Sequence, residues 1–90
     1  MPRAIADPDE LRRFAQNLKQ FNTELRERMA ALQGQFVNLG DTWRDQEHDK
    51  FAEEFEQTLH VVGAFIETAD LHIPFLLRKA QRIEEYLQQR

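Results

Sequence analysis

The sequence predicts an all-α protein built as an antiparallel two-helix hairpin. Three observations predict it. Apolar residues recur at helical spacing over two long stretches. Gly40 and the only tryptophan, Trp43, lie between those stretches, within the segment Leu39 to Phe55. The connection is also too short for anything except an antiparallel return.

The first helix is expected over about residues 8–39. Asp7 is a good N-cap, Pro8 suits the first helical position, and Asp9 and Glu10 favour the positive end of the helix dipole. Apolar residues then fall at Leu11, Phe14, Leu18, Phe21, Leu25, Met29, Leu32, Phe36 and Leu39, a heptad seam with one stutter between Leu25 and Met29. Asp9 with Arg13 and Glu24 with Arg28 add acid-before-base pairs one turn apart. Gly34 weakens the last turns by about 1 kcal/mol relative to alanine. Gly40 falls where a C-cap glycine is expected.

The bend is expected over about 40–44 and the second helix over about 45–88, all within one domain, 1–90. Asp41 and Thr42 can cap the second helix. Its seam runs Phe51, Phe55, Leu59, Val62, Ile66, Ala69, Ile73, Leu76, Ala80, Ile83 and Leu87. Pro74 removes a backbone donor and crowds the preceding turn, which predicts a kink or local break near Asp70 to Ile73. At about 1.5 Å per residue the helices span roughly 45 and 65 Å, so the basic C-terminal segment is expected to overhang the shorter partner helix.

A hairpin buries one seam and leaves its flanks wet, and small bundles usually resolve this by associating. Val61, Phe65, Thr68, His72 and Phe75 repeat at helical spacing beside the second seam. Val61, Phe65, His72 and Phe75 are the expected partner interface. They would join this hairpin to a second copy or a related hairpin, as a homodimer or heterodimer forming a four-helix bundle. The competing expectation is that the stripe broadens the intramolecular core around the kink.

Composition narrows the function. Ninety residues, 31% charged and 41% apolar, give one small globular or coiled-coil-like domain. A net charge of −4 argues against a nucleic-acid binder. Cysteine and serine are absent and there is no Gly-rich phosphate loop, so the common nucleophilic and nucleotide-binding arrangements have no material. His48, His60 and His72 recur every twelve residues, a spacing that turns each about 120° from the last and keeps them from converging on a metal. Asp45 and His48 resemble half of a carboxylate-bridged di-iron motif, but no second half is present. Glu53, Glu54 and Glu56 read as a solvated acidic face. No catalytic residue, cofactor or metal site is expected, and the protein is not expected to be an enzyme.

Charge is uneven. Residues 41–56 hold seven acids against two bases, whereas Arg78, Lys79, Arg82 and Arg90 make the C-terminal end locally basic. The glutamates Glu84 and Glu85 dilute that end, which reads as a solvated helix terminus. The N-terminus lacks the apolar region of a signal peptide, and no apolar run approaches the roughly 20 residues of a membrane span. The expected location is cytoplasmic, with export only by a route that needs no cleaved signal.

The arrangement of Leu39, Trp43, Asp45, Phe51 and Phe55 between two helices of this length resembles the WXG-type (Trp-x-Gly) proteins, the Esx-like substrates of type VII secretion. In that family a Trp-x-Gly turn joins two helices and an aromatic follows the tryptophan by eight positions, as Phe51 follows Trp43 here. The turn motif is thus Gly40, Trp43, Asp45 and Phe51, with Asp45 where the family has glycine. The family's export signal, Tyr-x-x-x-Asp/Glu, is also unmatched, because Tyr86 is followed four positions on by Arg90. The resemblance implies a non-enzymatic, dimeric interaction protein that is a substrate or component of a type VII-like secretion system. It gives Trp43 a role in recognising a partner or the machinery, against the plainer role of a plug closing the hairpin. The alternative function is a cytosolic helical adaptor or chaperone-like subunit unrelated to secretion.

Overall fold

The computed structural model describes residues 6–89. Two helices, α1 (Pro8–Leu39) and α2 (Gln46–Gln88), lie antiparallel, and there is no strand among the described residues. Asp7 opens α1 with extended backbone, its carboxylate accepting from the Asp9 N–H at 2.9 Å, and Pro8 fills the first turn where no donor is needed.

Two side-chain pairs fix the register. Arg12 grips Glu84 in a two-pronged contact, Nη1 to Oε2 at 2.8 Å and Nη2 to Oε1 at 3.1 Å. Arg26 pairs with Asp70. From Arg12 to Arg26 is fourteen residues along α1, and from Glu84 to Asp70 is fourteen back along α2, or two heptads on each. The expected C-terminal overhang is therefore absent: α1 begins beside the last turns of α2. The extra length of α2 lies at the bend instead. Arg90, and residues 1–5 with their signal-peptide reading, lie outside the described residues.

The helix continues through Pro74, so the expected local break does not occur. One lost donor leaves the Asp70 carbonyl without its partner four residues on, and the packing of Ile66, Ala69, Ile73 and Ala80 against α1 carries the helix across it. A long axis of 68 Å against 17 Å in the other two directions fits a helix of this length without a sharp bend.

The α2 seam is buried or half-buried at each expected position except Phe51, whose ring is about half exposed. The α1 seam is displaced. Ala15 and Asn22 are fully buried, while Phe14 and Phe21 are 58% and 52% exposed, with Leu32 and Leu39 also outside. The contact line thus runs Leu11, Ala15, Leu18, Asn22, Leu25, Met29 and Phe36. Small side chains explain the correction. With Ala15 on α1, and Ala69 and Ala80 on α2, the backbones approach too closely for a phenylalanine ring between them. The rings fall on the flank.

Candidate functional site

The bend is built by tightening α1 rather than by a left-handed residue. Gly40 caps the helix in right-handed conformation (φ −61°, ψ −16°), and no described residue has positive φ. The N–H groups of Gly40, Asp41 and Thr42 reach back three residues, to Val37, Asn38 and Leu39, and the Trp43 N–H bonds the Leu39 carbonyl at 2.9 Å. The Arg44 Nε–H donates to the Gly40 carbonyl at 3.0 Å, satisfying another of the helix's last acceptors.

The second helix is capped by Asp45, not by Asp41 or Thr42 as expected. Its backbone is extended, and its carboxylate accepts from the His48 N–H at 2.9 Å. Asp45, at the position where a Trp-x-Gly turn would have glycine, thus opens α2, a geometry that requires no glycine.

This capping brings five rings together. Phe36 is the hub: it stacks on His48 (5.0 Å between centroids, 8° between planes) and meets Trp43, Phe51 and Phe55 edge-on at 6.5, 5.5 and 5.2 Å. Trp43 stands perpendicular to His48 at 5.0 Å, and Phe51 stacks on Phe55 at 5.6 Å. Of the turn motif, Trp43 and Phe51 thus share one cluster, 6.4 Å apart, with Gly40 and Asp45 shaping the backbone beneath. Residue spacing did not single out Phe36 as the hub or His48 as a member. The usable signal was Asp45, since a cap there sets His48 one turn into α2, facing the cluster. Beside it lies an apolar groove of about 380 Å³ lined by Leu32, Gln35, Phe36, Leu39, Phe51 and Phe55.

One side of the hairpin continues this groove. Phe14, Phe21, Phe65 and His72 each precede a buried residue: Ala15, Asn22, Ile66 and Ile73. One step back along a helix is a turn of about 100°, and reversing the helix direction reverses its sense, so all four share one side of the pair. Val61 lies at the outer edge of that side, 65% exposed. Phe75 sits further round α2, beside His72 and under the Arg78 guanidinium at 4.6 Å. The His72 ring bonds the Thr68 carbonyl at 2.9 Å.

The opposite side is polar. The hydrogen bond from Arg26, then that from buried Asn22, holds the Asp70 carboxyl below its ordinary range. The Arg12 guanidinium does the same to Glu84, whose hydrogen bond in turn raises Arg12. Among the described residues no group of three or more His, Asp or Glu gathers where an ion could sit.

The hairpin is under-buried. Its surface is 7588 Å², against roughly 5,500 Å² for a compact protein of 10.7 kDa. The radius of gyration is 20.2 Å, against about 12 Å for a compact chain of this length. By length and composition alone one 18-residue window of α2 reaches the hydropathy of a membrane span, which does not make α2 one. Only 11% of its apolar window is buried in the hairpin, and the same helix carries Asp70, tied to Asn22 and Arg26.

No curated protein and no solved structure gives a significant match to the chain. A family model does match, that of the proteins of 100 residues with WXG, over residues 5–85. That span takes in α1, the aromatic bend and most of α2, and so this chain belongs to the WXG100 family.

Proposed function

We propose that this chain is a non-enzymatic interaction protein that pairs with a second helical hairpin and serves as a substrate or component of a type VII-like secretion system. The observation that carries this reading is the family match across residues 5–85. WXG100 proteins are small, helical, non-enzymatic and associated with type VII secretion, and they generally dimerise with related partners. The exposed apolar side supports pairing physically, because a contiguous patch of this kind on a short bundle marks a protein contact. On this reading Val61, Phe65, His72 and Phe75 belong to the partner surface, and Gly40, Trp43, Asp45 and Phe51 shape the end presented to the partner or the machinery. On this reading the protein passes through the cytoplasm and is exported by the type VII-like system.

The alternative is a cytosolic helical adaptor or chaperone-like subunit. Arg90, four residues after Tyr86 where the export motif needs an acid, favours it. Affinity purification from the native cell, with cell and medium both analysed, separates the two. Secretion predicts the protein in the medium together with a related hairpin. Retention in the cell with an unrelated helical partner would establish the adaptor instead.

A further inference from the structure

α2 carries a second ridge, on the face turned away from α1. Leu71 and Phe75 lie two residues to either side of buried Ile73, and Arg78 and Arg82 two residues to either side of buried Ala80. Two residues turn a helix by about 200°, so all four lie opposite the α1 contact. With Tyr86 they run at spacings of 4, 3, 4 and 4 over about 22 Å, the pattern of a coiled-coil seam. The hairpin gives that seam nothing to pack on: Leu71 is 70% exposed, Phe75 61% and Tyr86 53%.

The far half of the ridge is cationic. Residues 71–83 hold three bases, Arg78, Lys79 and Arg82, and no acid, within a chain of net charge −4. None of the three forms an ion pair with a described residue. The next acids along the chain are engaged elsewhere, Glu84 by Arg12 and Glu85 by the Gln81 amide at 3.2 Å. The Arg78 guanidinium lies over the Phe75 ring at 4.6 Å, which holds a charge beside the apolar half of the ridge.

Spacing and charge together define the occupant. A ridge of this spacing interlocks with the ridges of a second helix, so the partner is helical. Unpaired guanidinium groups take carboxylates, often in two-pronged fashion, so the partner is acidic. The acidic stretch 41–56 ends about 33 Å from Arg78 along α2, several screening lengths at physiological salt, and does not repel such a helix.

We propose that this outer ridge docks an acidic amphipathic helix of another protein. Aliphatic side chains of that helix pack on Leu71 and Phe75, and its carboxylates pair with Arg78 and Arg82. Leu71, Arg78 and Arg82 lie about 100° or more round α2 from Phe65, and only Phe75 borders both surfaces. The proposal therefore goes beyond the pairing reading and does not depend on it.

The probe is a synthetic sixteen-residue peptide with leucines on one face of its first half and glutamates on the same face of its second. Alanine and glutamine fill the rest, and the peptide is made in both sequence orders because a helix can dock in either direction. One of the two should bind the full chain with a dissociation constant below about 100 μM at about 0.15 M salt, and more tightly at lower salt. Arg78→Glu combined with Arg82→Glu should weaken binding at least about tenfold, and so should Leu71→Asp. These side chains are exposed, and their replacement leaves the α1 contact intact. Phe65→Asp, on the pairing side, should leave the affinity unchanged. No binding of either peptide at about 1 mM overturns the proposal, as does a loss with Phe65→Asp equal to that with the arginine variant. Sedimentation of the chain with phosphatidylglycerol vesicles, dependent on Arg78 and Arg82 and without peptide binding, overturns it in favour of a membrane surface. Pairing and export are read from mass and from the medium, so failure of those readings does not enter this titration.

Discussion

Asn22 donates from Nδ2 to the Asp70 carboxylate at 2.9 Å, from a position with no exposure to solvent. Its own carbonyl oxygen is buried and has no partner. A hydrogen bond to a charged group contributes about 1.5–3 kcal/mol and an orphaned buried acceptor costs about 1–3 kcal/mol, so the two nearly offset. Asn22→Leu keeps the branched shape and removes both, while Arg26 still holds Asp70. The substitution should change stability by no more than about 1 kcal/mol, a Tm shift within about 8 °C for a chain this small. A larger fall in Tm would mean that the Asn22–Asp70 bond outweighs the orphan.

Asp70 and Glu84 make the hairpin sensitive to acid. Their partners depress both carboxyls in the folded state, so folding favours the charged forms. That contribution is complete above the unfolded values, near 4, and is lost as pH falls through the lower folded values. Urea midpoints should hold steady from neutrality to about pH 5 and then decline below about pH 4. In a double variant, Asp70→Asn with Glu84→Gln, the decline should be visibly shallower.

Asp45 separates capping from the glycine of the family motif. Asp45→Ala removes the acceptor for the His48 N–H and should cost about 1 kcal/mol. Asp45→Gly restores the Trp-x-Gly pattern and should cost only a few tenths of a kcal/mol relative to aspartate. Urea unfolding of both variants checks the order. Asp45→Ala with no loss of stability would show that the carboxylate does not act as the cap.

Phe36 touches the other four rings of the bend, so its truncation leaves a cavity that no single neighbour can fill. Phe36→Ala should cost on the order of 3 kcal/mol. Trp43 is the only tryptophan, and its emission should shift to the red as its packing loosens. An unchanged spectrum would place Trp43 outside the cluster.

Gly34 lies within α1, exposed, where an added methyl group would meet nothing within 4 Å beyond its chain neighbours and its own helix backbone. Gly34→Ala should therefore stabilise by about 1 kcal/mol through helix propensity alone. Thermal melts followed by circular dichroism measure it.

Much of this was legible in the residues. Asp7 and Pro8 marked the start of α1, Gly40 its end, and the run from Phe55 to Leu87 the buried line of α2, because these depend on local backbone chemistry and on a regular 3–4 spacing. Trp43 and Phe51, eight apart, marked the bend. The cap was misplaced at Asp41 and Thr42 because three aspartates and threonines in five residues all qualify. Only the path taken by α1's last carbonyls selects Asp45.

By itself the sequence determined two amphipathic helices, their antiparallel return and the family to which they belong. Tertiary structure decided which edge of α1's broad apolar stripe meets α2. Helical periodicity defines a stripe about 100° wide, but two helices meet along a narrower line. Ala15, Ala69 and Ala80 let the backbones close on that line, and the Arg12–Glu84 and Arg26–Asp70 pairs set its register. Phe14 and Phe21, assigned to the core by spacing alone, are left on the open side. Their rings are too large for the gap that the alanines close.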